Sequence, residues 1–243
     1  MQHSEPSLLL LSSSRVGGGS YLAAVETFIN EHLAHCQRIL FIPFAGVTLS
    51  AQNYGERVIQ ALPALAERIS VLQPQTDAEQ QLAASDGVIV GGGNTFVLLD
   101  RLYRHGLVGA LRKRVLEGMP YVGWSAGSNI AGPTIRTTND MPVVEPPSLA
   151  ALGLVPYQLN PHFTDVTPPD FHGETRRERL AEFLVMNPQQ CVVALPEGCG
   201  LKMAQGKTRV IGAADALLFS AEQPVHILPT GSEWRNETAP SAA

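Results

Sequence analysis

A serine between small residues is the part of the sequence best suited to covalent chemistry. Residues 123–127 read Gly-Trp-Ser-Ala-Gly, which places Ser125 at the centre of a G-x-S-x-G pattern. An apolar run precedes the pattern, and residues 128–131 can begin a helix. A nucleophile elbow requires this order of strand, sharp turn and helix, because the turn exposes the serine hydroxyl at the sheet edge. We therefore predict Ser125 as a nucleophile, against the alternative of a turn that only packs or binds an anion.

A serine hydroxyl needs a base to become a good nucleophile, and histidine is the usual base. Two of the seven histidines, His162 and His172, lie in suitable loops. His162 belongs to Asn-Pro-His-Phe at residues 160–163, which we interpret as a constrained turn that can hold an imidazole in position. The surroundings of His172 are polar and indicate a more mobile segment, so we favour His162.

The base needs a carboxylate to orient it, and the sequence offers two. Glu197 follows the apolar run at residues 191–195 through Pro196, and Asp140 follows Thr-Thr-Asn. A carboxylate at the carboxyl end of a strand falls on the expected active edge, whereas most loop aspartates cap or brace their own loop. The residues alone do not choose between the two acids.

Backbone N–H groups are the expected donors to the oxyanion of an acyl-transfer reaction. The residue after the nucleophile, Ala126, supplies one donor in a nucleophile elbow. Three glycines at residues 91–93 follow an apolar run and lead into a helix, so Gly92 or Gly93 can bring a second N–H close to the substrate. A phosphate cradle is the competing interpretation. However, the sequence contains neither G-x-G-x-x-G nor a Walker lysine pattern.

Short apolar runs alternate with helical patterns through the first half of the chain. The runs predict strands at residues 8–11, 39–42, 69–72, 88–90 and 121–123, and the helical patterns cover residues 21–33, 51–65, 77–85, 95–103 and 108–117. Continuous apolar strands separated by helices predict an α/β fold, with a mostly parallel sheet covered by helices on both faces. Ligands of such sheets bind beyond the carboxyl ends of the strands, so the glycine turn and the elbow should share one edge.

The last third of the chain has a different pattern. Residues 134–170 are rich in Pro and predict long ordered loops, and residues 174–186 predict a helix. A strand at residues 191–195 and a hairpin around Gln205-Gly206-Lys207 follow. No linker divides the chain, so we predict one domain over residues 1–243, with a frayed tail from about residue 235.

Composition excludes several classes of function. The chain has 243 residues, 44% hydrophobic and 16% charged, with a net charge of −5 and no run of Lys and Arg. This gives no reason to expect nucleic acid or an anionic membrane as a partner. Three cysteines without a C-x-x-C pair indicate a reducing, cytoplasmic location. The first residues lack a signal peptide pattern, and no metal-ligand motif is present, so we expect no metal and no cofactor.

Six motifs in order carry a resemblance to a known family. Together they resemble the peptidase E family of α-aspartyl dipeptidases, and the similarity runs from about Leu8 to near Trp234. The six are Gly-Gly-Gly-Asn-Thr at 91–95, Gly-Trp-Ser-Ala-Gly-Ser-Asn at 123–129, Thr-Asn-Asp-Met-Pro at 138–142, Asn-Pro-His-Phe at 160–163, Gly-Glu-Thr-Arg at 173–176 and Leu-Pro-Glu-Gly at 195–198.

The resemblance implies both a fold and a reaction. The fold would be like that of the class I glutamine amidotransferases, a flavodoxin-like three-layer αβα arrangement with serine in place of the usual cysteine. The reaction would be hydrolysis of dipeptides and small amides that carry amino-terminal aspartate, by a monomer or homodimer without a cofactor. Ser125 would be the nucleophile, His162 the base, and Asp140 or Glu197 the third member. Arg176 would bind the aspartyl carboxylate, and Asn94 would also contact substrate.

Three alternatives stay open. A cyanophycinase-like peptidase would act on an aspartate–arginine polymer and would need an open groove. An α/β-hydrolase esterase would take its base from near the carboxyl end of the chain, where His226 is available. A small-molecule sensor on the same fold would bind a ligand without turnover.

Overall fold

Two sheets and their helices make up the protein. The computed structural model describes residues 5–73, 77–168, 170, 172–236 and 238–240. Within these residues the chain forms an eight-stranded sheet in the order β12-β9-β8-β1-β5-β4-β2-β3 and a four-stranded sheet in the order β11-β10-β7-β6. The strands, numbered along the chain, are β1 (Leu8–Leu11), β2 (Ile39–Ile42), β3 (Ile69–Val71), β4 (Gly87–Val90), β5 (Tyr121–Trp124), β6 (Gln158–Phe163), β7 (Cys191–Pro196), β8 (Cys199–Ala204), β9 (Lys207–Gly212), β10 (Ala216–Ser220), β11 (His226–Leu228) and β12 (Glu233–Arg235).

The centre of the larger sheet is parallel. Strands β1, β5, β4, β2 and β3 pair in parallel, whereas β8, β9 and β12 extend the sheet beyond β1 with antiparallel pairs. Every residue of β1, β2, β4 and β5 is buried, as expected for strands covered on both faces. The predicted α/β fold with a mostly parallel sheet is confirmed.

Helices cover both faces of this sheet. Helix α1 (Glu26–His32), helix α2 (Ala51–Ala61) and a 3₁₀ helix (Pro63–Arg68) pack on one face, which we call the α2 face. Helices α3 (Ala78–Ala83), α4 (Thr95–Arg104), α5 (Leu107–Leu116) and the short α6 (Ala126–Asn129) pack on the other, the α4 face. None of the described helices combines the length and the apolar character that crossing a membrane would need.

The smaller sheet lies against the α4 face. Its inner side contributes Leu159, Val193 and Leu195 to the same core as α4 and α5. Its outer side packs against helix α7 (Arg176–Met186) through Phe163, Leu180 and other apolar residues. Strands β6 and β7 pair in parallel, and this pairing positions the segment that follows each of them.

Several boundaries differ from the sequence-based predictions. Helix α1 begins only at Glu26, because residues 21–25 form turns in which Leu22 has a φ of 59°. Helix α2 ends at Ala61, where Pro63 starts the 3₁₀ helix. Pro lacks the N–H that would continue the preceding helix, so the bend expected there is a break. The predicted hairpin is confirmed, with Gln205 and Gly206 at positive φ between β8 and β9.

The predicted loop region and the tail also need correction. Residues 134–170 contain strand β6, and the Asn-Pro-His-Phe segment expected as a turn is its end. Strands β10, β11 and β12 were not predicted. In the tail, Arg235 ends β12 and Ala239 packs against the core, so the described part is not frayed there. Residues 237 and 241–243 lie outside the described residues.

Candidate active site

Ser125 lies in a strained turn between β5 and α6. Its φ of 54° and ψ of −116° are unfavourable for a residue with a side chain. Such strain costs about 1–3 kcal/mol and persists only where the surroundings enforce it. Residues 121–124 and 126–132 are all buried, whereas Ser125 is partly exposed. The turn therefore presents one side chain to solvent from an otherwise buried segment.

The glycines of the motif allow this turn to form. A Cβ on Gly123 would lie 2.5 Å from the carbonyl oxygen of Gly127, and a Cβ on Gly127 would lie 2.2 Å from the carbonyl oxygen of Val90. Both distances are far below van der Waals contact, so neither position accepts a larger residue without a backbone shift. The spacing Gly-x-Ser-x-Gly is thus required by close approach of the backbone on two sides.

Hydrogen bonds fix the elbow to the end of β1. The N–H of Ser125 donates to the carbonyl of Leu11 at 3.1 Å. The buried hydroxyl of Ser128 lies 2.7 Å from the same carbonyl and 2.8 Å from the carbonyl of Gly123. Asn129 Nδ2 donates to the carbonyl of Leu159 at 2.7 Å, which links the short helix to β6. The nucleophile position is therefore tied to both sheets.

Three backbone N–H groups are available near Ser125. A Cβ on Gly92 would lie 2.9 Å from Ser125 Cβ, so the glycine turn after β4 lies directly against the serine. Among the described residues, neither the Gly92 N–H nor the Gly93 N–H forms a hydrogen bond, while the following Asn94 N–H donates to Ala45. Ala126 is the first residue of α6, where an N–H has no acceptor within the helix. These groups have the character of oxyanion donors.

His162 lies in the same cavity as Ser125. The cavity has a volume of about 430 Å³, and both side chains line it. His162 has a φ of 55° and sits at an irregularity where the β6–β7 register shifts between Pro161 and Phe163. A bulge of this kind redirects a side chain out of the regular alternation of a strand. The sequence identified the residue, but the constraint that holds it is a bulged strand rather than a turn.

The backbone of His162 is held from two directions. Its N–H donates to Ser12 Oγ at 3.0 Å, and that hydroxyl donates to the carbonyl of Leu195 at 2.8 Å. Its carbonyl accepts a hydrogen bond from the guanidinium of Arg176. Ser12 follows β1 directly, so this contact connects the base to the same strand end that holds Ser125.

The two candidate acids have different surroundings. Glu197 Oε1 lies 3.5 Å from His162 Nδ1, and both side chains are partly exposed. Because Phe163 pairs with Pro196, the residue after β7 is placed next to His162. From the sequence, Glu197 was expected at the edge of the main sheet. Strand β7, which precedes Glu197, instead belongs to the smaller sheet, and the register of β7 with β6 brings Glu197 to the site.

Asp140 is engaged elsewhere. Its Oδ2 accepts hydrogen bonds from the N–H and hydroxyl of Thr95, at 2.8 and 2.6 Å, and from the Thr138 hydroxyl at 3.2 Å. A carboxylate on the first residue of α4 stabilises the start of that helix. Of the two acids, the structure brings Glu197 to His162 and gives Asp140 the role of fixing its loop to α4.

The two residues expected to contact substrate, Arg176 and Asn94, both form hydrogen bonds within the protein. Arg176 begins α7 and donates to the carbonyl of His162, which lines the cavity, but Arg176 itself is not among the lining residues. Burial lowers the pKa of Arg176, with a further lowering from Arg179, while the nearby carboxylate of Asp140 opposes the shift. Asn94 lines the cavity, but its side chain caps α4 through Val97 N–H at 3.1 Å and donates to the Met141 carbonyl at 2.8 Å.

Several residues of the cavity wall were not predicted from the sequence. They include Arg15, Tyr21, Tyr54 and Arg57. The position of Arg15, four residues after β1, was a usable signal, because that strand neighbours β5. Among the remaining histidines, His226 starts β11 at the far edge of the smaller sheet and does not line the cavity, so the esterase alternative lacks its base. His172 does not line it either.

A serine on a strained elbow, with a histidine in the same cavity and a carboxylate beside that histidine, defines the serine hydrolase class. Comparison with known proteins identifies the family. The model of peptidase family S51 matches residues 8–211, and the chain belongs to this family. It is 45% identical to peptidase E of Shewanella sp. (strain W3-18-1) over 225 residues, which cover 93% of this chain and 95% of that protein.

Other relatives agree. Peptidase E of Shewanella baltica (strain OS195) is 46% identical over 233 residues, which cover 96% of this chain and 98% of that protein. A crystal structure of a peptidase from an acI-B1 Actinobacterium superposes with a TM-score of 0.70 at 19% identity, covering 96% of this chain and 98% of that one, and shows the shared fold. A protein of Listeria monocytogenes EGD-e superposes with a TM-score of 0.65 at 24% identity, covering 87% of this chain and 100% of that one. The prediction of a hydrolase of the serine dipeptidase kind is confirmed.

Proposed function

We propose that this protein hydrolyses dipeptides and small amides that carry amino-terminal aspartate, through an aspartyl-enzyme intermediate. The observation that carries the proposal is the strained Ser125 in one cavity with His162. The relatives named peptidase E support it. A cavity of about 430 Å³ is of the size that holds a small ligand such as a dipeptide.

The proposed reaction uses Ser125, His162 and the backbone N–H groups beside them. Ser125 Oγ attacks the carbonyl carbon of the aspartyl residue while His162 takes the hydroxyl proton. The N–H groups of Ala126 and of Gly92 or Gly93 donate to the oxyanion. His162 then protonates the leaving amine as the peptide C–N bond breaks and the aspartyl ester of Ser125 forms. A water molecule, deprotonated by His162, hydrolyses this ester and releases aspartate.

Glu197 is the proposed orienter of His162. Its contact with Nδ1 at 3.5 Å is longer than a strong charge-assisted hydrogen bond. Catalytic hydrogen bonds are often long in a free enzyme and tighten when substrate binds. The Oδ2 of Asp140 already accepts hydrogen bonds from Thr95 and Thr138, which supports Glu197 over Asp140 as the orienter.

Arg176 is the proposed partner of the aspartyl side chain. A guanidinium has five N–H donors, and the bond to the His162 carbonyl leaves others for a carboxylate. The same bond ties Arg176 to the base, so substrate recognition and base position are coupled. Asn94 contributes by shaping the cavity wall, since both ends of its amide are already bonded.

Release of free aspartate from Asp-Leu by the purified protein tests the proposal. We expect hydrolysis by the wild type, loss of hydrolysis in Ser125→Ala, and no effect of a chelator. Glu-Leu and N-acetylated Asp-Leu should be poor substrates, because the side-chain length and the free amine are recognised. A folded wild type that leaves Asp-Leu intact would overturn the aspartyl specificity.

A cytoplasmic location is part of the proposal. The three cysteines Cys36, Cys191 and Cys199 are free thiols, as expected in a reducing compartment. The net charge of −5 supports a small-molecule substrate without a nucleic acid partner. For the assembly we propose a monomer or homodimer, which sedimentation velocity would distinguish.

A further inference from the structure

A pair of arginines faces Ser125 from the α2 face of the main sheet. Arg15 and Arg57 line the cavity that holds Ser125 and His162, and we call them the arginine pair. Arg15 belongs to the loop after β1, and Arg57 lies on helix α2. Both side chains are exposed, so a ligand in the cavity can reach them.

One tyrosine contacts Arg57, and a second attaches the helix of Arg57 to the glycine turn. The Arg57 guanidinium lies 4.3 Å from the centre of the Tyr21 ring, an arrangement that positions the cation by its interaction with the ring. Tyr54 lies one helical turn before Arg57, and its hydroxyl donates to the carbonyl of Gly92 at 2.8 Å. Helix α2 is therefore attached to the glycine turn that abuts Ser125. Burial raises the pKa of Tyr21 and Tyr54, so both hydroxyls stay protonated.

Within the part of the chain that the structure describes, no carboxylate neutralises the arginine pair. Among the described residues, neither guanidinium forms an ion pair or a hydrogen bond to a side chain, and no Asp or Glu lines the cavity. Acidic residues outnumber basic ones in the chain, 22 to 17. Two unpaired cations beside a nucleophile therefore make this wall of the cavity a site for a carboxylate.

The arginine pair and Arg176 belong to opposite faces of the sheet. The pair comes from the α2 face, where Tyr54 and Trp124 share a core. Arg176 lies near Asp140, whose carboxylate binds the first residue of α4 on the other face. Ser125 directly follows the central strand β5, between the two faces of the sheet. A substrate whose carbonyl is attacked by Ser125 can therefore direct one group toward the arginine pair and another toward Arg176.

An Asp-Xaa dipeptide carries two carboxylates, one on each side of the bond that breaks. The first is the aspartyl side chain, and the second is the free carboxyl terminus of the leaving residue. We infer that Arg57, with Arg15 beside it, binds this carboxyl-terminal carboxylate, while Arg176 binds the aspartyl side chain. The inference rests on the proposed function and deepens it: the arginine pair selects dipeptides over substrates whose leaving group lacks the carboxylate.

Hydrolysis of Asp-Leu and of Asp-Leu amide tests the inference directly. The two substrates share the aspartyl residue and the scissile bond and differ only in the terminal carboxylate. We expect the wild type to prefer Asp-Leu by about 10-fold to 100-fold in kcat/KM, the usual effect of a hydrogen bond to a charged group. Arg57→Gln should reduce that preference by about 10-fold, mainly through KM. Arg57→Lys should retain part of it, and Arg15→Gln should have a smaller effect.

Arg38→Gln is the matched control, because it removes an exposed arginine that precedes β2, at the other end of the strands. It should leave the preference unchanged. Thermal unfolding of each variant shows whether the fold is retained.

Equal use of both substrates by the wild type overturns the inference and leaves the proposed dipeptidase function standing. The inference is also overturned if Arg57→Gln lowers kcat/KM for Asp-Leu and Asp-Leu amide equally. That result would assign the arginine pair to binding of the aspartyl residue. Failure of the wild type on both substrates overturns the proposed function and the inference with it.

Discussion

The nucleophile and the base are held by two regions that are built differently. Ser125 ends a buried strand of the main sheet, and the glycines beside it approach other backbone groups more closely than any side chain would permit. His162 and Glu197 come from the smaller sheet, lie partly exposed and meet at 3.5 Å. Close backbone packing fixes the conformation of Ser125 in the first region. Hydrogen bonds and the β6–β7 register hold His162 and Glu197 in the second region.

This difference suits the two tasks. A nucleophile that must enter a strained conformation needs surroundings that enforce the strain. The base moves a proton, and its contact with the orienting carboxylate can tighten when substrate arrives, so some freedom is useful. We therefore expect changes at the elbow to damage folding, and changes on the base side to reduce the rate with the fold retained.

The largest effect is expected at the elbow, from Gly127→Ala. The added Cβ would lie 2.2 Å from the carbonyl oxygen of Val90, so α6 and the end of β4 would have to separate. We expect a loss of about 3 kcal/mol or more in the free energy of unfolding, measured by denaturant titration. Gly109→Ala is the control, since a Cβ there meets nothing within 4 Å, and it should stabilise helix α5 by up to about 1 kcal/mol. Equal stability of the two variants would contradict the close-approach argument.

The next effect separates the two acids. Glu197→Gln removes the charge beside His162 Nδ1 and keeps the shape of the side chain. We expect kcat for Asp-Leu to fall by roughly 100-fold or more, because the carboxylate orients His162 and stabilises the imidazolium that forms during the reaction. The free energy of unfolding should change little, because Glu197 is exposed.

Asp140→Asn provides the comparison. The carboxylate supports the start of α4, so its loss should cost about 1 kcal/mol of stability. Its effect on kcat should be smaller than that of Glu197→Gln. The opposite ranking of the two kcat values would make Asp140 the partner of His162.

The elbow could be predicted from the sequence because its signal is local. The glycines at positions 123 and 127 and the apolar residues before them are all within one strand, turn and helix. The central strands were also predictable, since each is a continuous apolar run. Strand β6 was not, because Asn160, Pro161 and His162 interrupt its apolar pattern, and only pairing with β7 makes it a strand.

The arginine pair could not be predicted for a related reason. Arg57 lies 68 positions before Ser125, on the exposed face of helix α2. Nothing in the neighbouring sequence distinguishes Arg57 from an ordinary solvent-exposed arginine. The topology brings helix α2 to the strand ends, and the contact of Tyr54 with the Gly92 carbonyl fixes it there. Choosing between Asp140 and Glu197 likewise required the β6–β7 register, which the order of residues does not specify.

The smallest effect tests the link between the two regions. Ser12 follows β1, and its buried hydroxyl accepts from the His162 N–H and donates to the Leu195 carbonyl. Ser12→Ala leaves both groups without this partner, which should lower the free energy of unfolding by about 1–2 kcal/mol. It should also lower kcat by less than about 10-fold, since the base is displaced but present. Ser85→Ala, which removes a buried hydroxyl bonded only to the Gln81 carbonyl four residues away, should leave kcat unchanged. If Ser12→Ala lowers stability without affecting kcat, the bridge supports the fold alone, and the position of the base depends on the β6 bulge and Arg176.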